Sequence, residues 1–209
     1  MNISSFVGNN SPKISLQSRF LDFLLAICFI ILFLPLAIIV MLLILIIDGR
    51  PVFFIQTRSG YLGHPFRLIK FRTMSNNFEK GDNERVTKLG YWLRKTGIDE
   101  LPQMIQVLRG DMSLVGPRPL LPEYLALYSE TQLKRFLVKP GITGYSQLFV
   151  AKNAPWPERL QADVWYVENR NIILDLKIIF HTAKYIFIKL CCISSATKES
   201  FERFTGNKI

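Results

Sequence analysis

The feature that most constrains this chain is a long apolar run near its N-terminus. No residue from Phe23 to Ile47 is charged, and the run, FLLAICFIILFLPLAIIVMLLILII, has 25 residues. At about 1.5 Å per residue, a helix of that length reaches across a hydrocarbon core of about 30 Å. A cleaved signal peptide would be shorter and would end in a small-residue cleavage site. We therefore predict a membrane helix over residues 19–48, after a tail over 1–18.

Two features of the run bear on its path through a membrane. Pro35 lies at the middle, where it removes a backbone hydrogen bond and predicts a kink. Basic residues flank both ends of the run: Lys13, Arg19, Arg50 and Arg58. The positive-inside rule therefore gives no crossing direction. A re-entrant hairpin that enters one leaflet and returns fits these features, and so does a tilted span that tolerates proline.

The net charge of the chain indicates an anionic partner. Its formal value is +10 at pH 7. Beside an apolar membrane segment, lipid head groups and phosphates are favoured over nucleic acid. The basic residues are spread along the chain, and it carries no recognisable nucleic-acid-binding motif. We therefore predict anionic membrane lipids as partners and no nucleic acid. The three cysteines have neither an even count nor metal-ligand spacing.

The region after the apolar run predicts a small β-hairpin and then two helices. Residues 52–58 and 66–72 have the composition of strands, and a glycine-bearing link joins them. Helical spacing predicts a helix over 84–95 and, after a break at Gly97, a second helix that ends at Gly110. The apolar stripe of the second helix consists of Leu101, Met104, Ile105 and Leu108. The fold class is therefore α+β and mostly helical.

Two further helices are predicted in the C-terminal half. Pro157 suits the first position of one helix. The other, over about 174–192, is apolar on most of its surface, and its lysines fall near one side: Lys177, Lys184 and Lys189. That pattern is typical of an amphipathic helix at a membrane interface, although packing into a protein core is the alternative. Residues 49–209 thus form one domain that ends in this helix.

Two adjacent carboxylates, Asp99 and Glu100, lie at a predicted helix start. Thr96 before them fits a capping box, and acids at this position are stabilised by the helix dipole without any catalytic role. The same position also suits a phosphate, because free backbone N–H groups point outward. Cations from the flanking segments would neutralise phosphate oxygens around an attacking carboxylate: Lys70, Arg94 and Arg118. A carboxylate and a diphosphate together would hold Mg²⁺.

Structural alternatives exist for several of these residues. Prolines on both sides of Arg118 restrict the backbone and present its guanidinium with less loss of entropy, but a structural salt bridge explains the residue equally well. Lys70 fits a surface position on a strand. Asp163, on the helix opened near Pro157, fits a solvated helix acid. The residues alone leave these alternatives open.

Four strings in the sequence resemble the bacterial sugar transferases, which are small monotopic phosphoglycosyl transferases. They are PVFFIQTRSGYLGHPFRLIKFRTM, DELPQMIQVLRGDMSLVGPRPLLPEY, KPGITGYSQ and DVWYVENRNIILDLKII. The resemblance implies transfer of a sugar-1-phosphate from a UDP-sugar to undecaprenyl phosphate with release of UMP. That reaction is the first membrane step of O-antigen, capsule, exopolysaccharide or glycoprotein assembly. The resemblance also implies a re-entrant helix broken at Pro35, and a cytoplasmic catalytic domain on the bacterial inner membrane.

The family pattern implies roles for individual residues. Asp99 and Glu100 match its catalytic dyad, and Asp99 would carry the covalent phosphosugar intermediate and contact Mg²⁺. The matching substrate-binding positions are Lys70, Arg94, Arg118 and Asp163. The partners implied are a UDP-sugar and undecaprenyl phosphate, and a homodimer stays open.

The sequence departs from the family pattern in three places. Leu34 stands where many relatives carry Ser, and Tyr145 stands where Trp is expected. The string Ala151-Lys152-Asn153 replaces a common GRN, which leaves the identity of the sugar open. Two rival functions are a membrane-anchored nucleic-acid-binding module and a scaffold that recruits partners to the membrane. The scaffold leaves the acidic dyad and its cations without a purpose.

Overall fold

The computed structural model describes residues 15–75, 81, 84–151 and 153–191. Most of the predicted tail over 1–18 lies outside these residues, as do Lys13, Lys152 and the end of the last predicted helix. The helices are α1 Leu16–Leu43, α2 Lys88–Thr96, α3 Gln103–Arg109, α4 Glu130–Leu133, α5 Tyr145–Phe149, α6 Trp156–Asn169 and α7 Ile172–Cys191. The strands are β1 Phe53–Ser59, β2 Pro65–Phe71, β3 Ser113–Val115 and β4 Gly141–Thr143. The fold is mostly helical, as predicted.

Helix α1 contains the apolar run. It continues through Pro35 and ends in a π-helical turn, Ile44–Asp48. In the described part of the chain it is the one helix long and apolar enough to cross a membrane, and only 11% of its most apolar stretch is buried inside the protein. A core helix of a soluble protein would be mostly buried. The exposed surface of α1 is therefore compatible with membrane association, while the kink and the re-entrant path stay predictions.

Both ends of α1 pack against the same domain. Near its start, Ala26 belongs to the main core, together with Val107 of α3 and Ile178 of α7. Near its end, Val40 and Ile44 pack in a second core against residues of β2 and α2. Between these two regions the helix exposes large apolar side chains, among them Ile31 at 69% and Leu32 at 70%.

One arginine side chain, that of Arg72, binds the backbone where the chain leaves α1. Arg72, just after β2, donates to the backbone carbonyl oxygens of Asp48, Gly49 and Arg50, at 2.5, 2.6 and 2.9 Å. These carbonyls lie where the chain leaves α1, and carbonyls at a helix end lack partners within the helix. Arg72 therefore fixes the exit of the chain from the apolar helix.

The predicted β-hairpin is confirmed. Strands β1 and β2 pair antiparallel, with Phe53 opposite Phe71 and Ser59 opposite Pro65. The outer edge of β2 is covered by Gln106 of α3, whose side-chain oxygen accepts from the backbone N–H of Ile69 at 3.1 Å. The Gln106 amide also donates to the carbonyl of Arg67 at 2.6 Å. A side-chain amide thus satisfies two backbone groups that a third strand would otherwise pair.

This use of Gln106 corrects the predicted stripe of α3. The buried residues of the helix are Gln103, Gln106 and Val107, whereas Ile105 is exposed. Periodicity alone ranks an amide below an isoleucine for burial, but the open edge of β2 requires hydrogen-bonding groups. The predicted end of α3 is confirmed, since Gly110 follows with φ 94°.

The capping box predicted at Thr96 does not form. Its hydroxyl donates back to the carbonyls of Trp92 at 2.9 Å and Leu93 at 3.0 Å within α2. Gly97 then adopts φ 75° and reverses the chain before a 3₁₀ turn over Ile98–Glu100. The Thr96 oxygen also accepts from Ile98 N at 3.4 Å. Within the described residues it makes no hydrogen bond to the backbone of Asp99, which the capping box requires.

The short parallel pair of β3 and β4 was not predicted. Ser113 pairs with Gly141, and Val115 pairs with Thr143. A Cβ atom on Gly141 would overlap the backbone nitrogen of Gly116, so the two backbones meet only because neither has a side chain there. The sequence KPGITGY therefore forms a strand as well as a turn.

The predicted C-terminal helices are both present. Helix α6 begins at Trp156, so Pro157 is its second residue, one position later than predicted. In α7, Ile178 is fully buried while Ile173, Phe180 and Phe187 are exposed. The helix thus packs on the domain along one side only, and its placement at a membrane interface stays a prediction.

Candidate active site

The two predicted catalytic acids lie on the turn between α2 and α3. Asp99 and Glu100 belong to the 3₁₀ turn that follows Gly97. Asp99 is only 6% exposed, whereas Glu100 is half-buried. The turn packs against β2, so the acids face the strand that carries Lys70. Residues distant in the sequence are thereby brought to one place.

The environment of Asp99 is unusual for a carboxyl group. Burial, and next the charge of Glu100, raise the pKa of Asp99 to about 6. The positive charges of Lys70, Arg94 and Arg118 oppose that rise. Buried groups with a strongly raised pKa cluster at functional sites, because structural acids are usually paired or solvated. Asp99 is therefore the strongest candidate for a reactive side chain.

Lys70 is the second part of the site. It lies near the end of β2, opposite Phe54 in the hairpin, and its ammonium is 5.4 Å from the centre of the Phe54 ring. Burial lowers the pKa of Lys70, while the charge of Asp99 acts in the opposite direction. A mostly buried lysine close to a buried acid is not the surface strand residue that the sequence also allowed.

Arg94 reaches the site from the last turn of α2. Its Nε donates to the hydroxyl of Thr73 at 2.8 Å. Helix α2 lies directly on the backbone at Thr73 because Gly90 has no side chain there; a Cβ on Gly90 would overlap the Thr73 carbonyl. This close approach sets the position of Arg94 relative to β2.

Arg118 is the third cation that interacts electrostatically with Asp99. Its Nη2 lies 3.3 Å from Glu100 Oε1, and its side chain is 44% exposed. The backbone carbonyl of Pro117 accepts from Gly141 N at 3.1 Å, so the loop is anchored to β4. The salt bridge anticipated as an alternative is present, but with a member of the predicted dyad, so it belongs to the site.

Within the described residues, Asp163 forms no hydrogen bond or ion pair with either acid of the dyad. Its two carboxylate oxygens accept hydrogen bonds from Arg135, at 2.8 Å, and from the Ser146 hydroxyl, at 2.5 Å. Arg135 also donates to the backbone carbonyl of Arg118 at 2.7 Å. Asp163 is therefore connected to the site through Arg135 and the backbone of Arg118.

Sequence reasoning missed Arg135 and Arg58. Arg135 is only 3% exposed and pairs with Asp163; an arginine directly before the apolar residues Phe136, Leu137 and Val138 was the available signal. Arg58 lies beside Arg118, and burial and then that neighbouring charge lower the pKa of Arg58. No sequence pattern distinguishes Arg58 from an ordinary strand residue.

The acids fit a magnesium ion only with help from a substrate. Among the described residues, no group of three or more His, Cys, Asp or Glu side chains is placed to hold a metal. Magnesium is commonly held by one or two carboxylates together with substrate phosphates and water. Asp99 and Glu100 supply such a partial set, so the donor chemistry suits a metal–diphosphate complex and not a metal held by protein alone.

Two acids that interact electrostatically with three cations, on a domain with a long exposed apolar helix, are compatible with a membrane-associated enzyme that handles phosphates. The chain belongs to the bacterial sugar transferase family, whose profile matches residues 14–189. This confirms the family that the sequence strings resemble, and it assigns the protein to the transferases.

Three relatives show the breadth of the similarity. The chain is 48% identical over 164 residues to "Uncharacterized sugar transferase EpsL" of Bacillus subtilis, covering 76% of this chain and 81% of that protein. It is 36% identical over 201 residues to the UDP-glucose:undecaprenyl-phosphate glucose-1-phosphate transferase of Caulobacter vibrioides, covering 84% and 72%. It is 35% identical over 189 residues to the UDP-N-acetylgalactosamine-undecaprenyl-phosphate N-acetylgalactosaminephosphotransferase of Aeromonas hydrophila, covering 84% and 45%.

Proposed function

We propose that this protein transfers a sugar-1-phosphate from a UDP-sugar to undecaprenyl phosphate and releases UMP. The observation that carries the proposal is a buried carboxyl, Asp99, that interacts electrostatically with three cations. The substrate classes come from the names of the relatives, two of which specify a UDP-sugar and undecaprenyl phosphate. Those two names specify different sugars, so the sugar is left to experiment. The reaction would begin the assembly of a glycan on the membrane.

In the first step, a carboxylate oxygen of Asp99 attacks the phosphorus that carries the sugar. The bond between that phosphorus and the oxygen bridging to UMP breaks, and UMP leaves with the electron pair. The product is an acyl phosphate that joins Asp99 to the sugar phosphate. Covalent catalysis of this kind divides one transfer between two large phosphates into two smaller steps.

In the second step, a phosphate oxygen of undecaprenyl phosphate attacks the same phosphorus. The acyl phosphate bond breaks, the carboxylate of Asp99 is regenerated, and the sugar is left on a lipid diphosphate. The two large substrates therefore never need to be in line at the same time. A single buried acid serves as nucleophile first and as leaving group afterwards.

The raised pKa of Asp99 suits its roles in both steps of the reaction. At neutral pH a carboxyl with a pKa of about 6 is mostly ionised, and it is more basic than an ordinary aspartate. Lys70, Arg94 and Arg118 would neutralise the diphosphate oxygens as the bond to UMP breaks. Glu100 would orient Arg118, since the two side chains are 3.3 Å apart.

Magnesium is part of the proposal. Held by Asp99 and the substrate diphosphate, Mg²⁺ would supply further neutralisation of charge on the phosphate oxygens. Removal of the metal should then lower turnover without unfolding the protein, because the acids make no closed metal cage in the described residues.

The proposed location is the cytoplasmic face of the bacterial inner membrane. The contacts at both ends of α1 support a re-entrant path for this helix. Asp22, near the start, accepts from Leu114 N at 2.9 Å, and Arg72 holds the carbonyls at the exit. In this proposal both ends of α1 lie on the side of the membrane where the domain lies.

The test is release of UMP from a panel of UDP-sugars by purified protein, with undecaprenyl phosphate and Mg²⁺ present. One UDP-sugar should yield UMP and a lipid diphosphate sugar in equal amounts. Omission of the lipid phosphate should stop turnover after about one UMP per protein. A nucleic-acid-binding module or a scaffold would release no UMP with any member of the panel, and that result would contradict the proposal.

A further inference from the structure

A second cluster of cations lines a cavity at the start of α1, away from the dyad. The cavity is a small depression that is open to solvent, and it is lined by Ser15, Arg19, Asp22, Ser113, Lys139 and Arg170. Arg19 donates to the carbonyls of Val107 and Leu108 at 2.5 and 2.8 Å, which are at the end of α3. The dyad precedes the start of α3, so the length of that helix, roughly 10 Å, separates the two sites.

Lys139 and Arg19 converge at the mouth of this cavity. A Cβ atom on Gly110 would be 3.2 Å from Lys139 Nζ and 3.3 Å from Arg19 Nη2, so both cationic groups lie against the same glycine. Within the described ranges of the chain, the Lys139 ammonium has neither a hydrogen bond nor an ion pair. Burial, and next the charge of Arg19, lower the pKa of Lys139. Two like charges held together gain stability from an anion between them.

The acids near the cavity already have hydrogen-bond or ion-pair partners. Asp22 accepts from Leu114 N at 2.9 Å and from the Ser113 hydroxyl at 2.7 Å. Asp175, which pairs with Arg170 at 3.3 Å, also accepts from the Tyr166 hydroxyl at 2.6 Å. These carboxylates have local partners of their own. Asp22 and Asp111 also attract the Lys139 charge at longer range, but within the described residues neither forms an ion pair with its ammonium, which is therefore available to a ligand.

The surroundings of the cavity indicate which anion fits. The helix that supplies Arg19 exposes Leu16 at 86% and Phe20 at 70% of their surfaces, and α7, directly after Arg170, exposes Ile173 at 63%. A free phosphate gains nothing from apolar neighbours, whereas a phospholipid places its acyl chains against them. We propose that this cavity binds the phosphate of an anionic membrane phospholipid and so holds the start of α1 at the membrane surface.

The test is lipid binding to the full-length protein in detergent, followed by native mass spectrometry during titration with phosphatidylglycerol. One lipid should be retained at saturation, and phosphatidylcholine should be retained far less. Lys139→Gln should weaken the binding of phosphatidylglycerol about fivefold, as expected for loss of one cation beside an anionic head group. Lys88→Gln removes an equal charge at an exposed position on α2 and should bind as the wild type does. Lys139→Arg should retain binding.

Three results would overturn the proposal. Equal binding by Lys139→Gln and Lys88→Gln would show that phosphatidylglycerol attaches elsewhere. Displacement of the lipid by an equal concentration of inorganic phosphate would show a site for free phosphate. Loss of UMP release by Lys139→Gln in lipid-free detergent would place Lys139 in the reaction itself, whereas the proposal expects the rate of the first turnover to be unchanged.

Discussion

Arg135 forms a buried ion pair with Asp163, with 2.8 Å between Nη2 and Oδ2, and the same nitrogen reaches the backbone carbonyl of Arg118 at 2.7 Å. A buried acid on α6 is thus connected through one guanidinium to the loop that carries a cation of the proposed site. Arg135 and Asp163 are positioning residues in this arrangement, since neither touches the dyad.

Asp163→Asn should impair both stability and substrate binding. The substitution leaves the buried charge of Arg135 without its counter-ion, which costs about 3–5 kcal/mol, and it releases the Arg118 backbone. We expect a raised KM for the UDP-sugar in whatever fraction stays folded, measured by UMP release, together with a lower unfolding temperature. Ser146→Ala, which removes only one hydrogen bond to Asp163, should shift KM in the same direction by a smaller amount.

A second ion pair, formed by the neighbour of Arg135, provides a matched control for this prediction. Lys134 and Glu168 form an exposed ion pair at 2.6 Å between the same two segments as the buried pair. Because exposed pairs contribute about 0–1 kcal/mol, Glu168→Gln should leave the unfolding temperature and KM close to wild type. If Glu168→Gln and Asp163→Asn behave alike, burial is not what gives the inner pair its role.

Asp99→Asn should abolish transfer, because an amide cannot form the acyl phosphate. Wild-type protein with the correct UDP-sugar and no lipid should release about one UMP per active site, and the peptide containing Asp99 should gain the mass of a sugar phosphate. Asp111→Asn, an exposed acid just after α3, is the control and should keep full activity. Substantial turnover by Asp99→Asn, or UMP release only when both substrates are present, would rule out the covalent intermediate while leaving the transferase possible.

Asp99→Asn should also change how stability depends on pH. In the metal-free protein the pKa of Asp99 is raised to about 6 from 3.8, so the folded state holds this proton more tightly than the unfolded state does. The stability contributed by the protonated acid is full below pH 4 and is lost as the pH rises through 6. The variant should therefore be more stable than wild type at pH 8, by about 3 kcal/mol, and lose this advantage near pH 4. Unfolding temperatures measured in chelator across that range test this; equal differences at all pH values would contradict it.

Arg118→Ala should weaken use of the UDP-sugar without unfolding the protein. The side chain is 44% exposed, and its pair with Glu100 is 3.3 Å long, so stability should fall by less than about 1 kcal/mol. Loss of a cation that stabilises transition-state charge should lower kcat/KM by about 10²–10³. Arg109→Ala, on the exposed end of α3, is the control. A large fall in the unfolding temperature of Arg118→Ala would instead favour a purely structural salt bridge.

The re-entrant path predicts that both ends of α1 are protected in intact cells. In a variant with its three cysteines replaced by serine, single cysteines at Ser15 and Lys88, both exposed, should resist a membrane-impermeant thiol reagent. Both should react after lysis, which is the control for accessibility. Labelling of the cysteine at position 15 alone in intact cells would show a true span.

Helices and strands were predictable from sequence where turn residues such as glycine and proline flank a segment with clear hydrophobic periodicity. The hairpin of β1 and β2, the end of α3 at Gly110 and the opening of α6 near Pro157 all follow from turn residues beside periodic segments. The strands β3 and β4 were not predictable, because three residues show no alternation and their pairing depends on Gly116 meeting Gly141. Contacts of that kind exist only once the chain has folded.

The sequence predicted which residues belong to the site but not which of them contact one another. The sequence identified the acids and the nearby cations, and their electrostatic coupling in the fold agrees with that grouping. It did not identify Arg135, which is 28 positions from Asp163, or the burial of Asp163 itself. Charge patterns show which side chains suit phosphate, whereas tertiary packing decides which of them touch it and which hold the others in place.

The position of Arg72 has a consequence for the geometry of the reaction. It follows Lys70 by two residues, so roughly 7 Å of extended backbone separates the cation of the site from the guanidinium that holds the exit of α1. This short backbone segment therefore fixes the distance between the reactive centre and the last turn of the apolar helix. A lipid phosphate at the membrane depth of that turn would therefore lie at a fixed distance from Lys70, where a nucleotide arrives from the aqueous side. The two substrates could then react without movement of the domain.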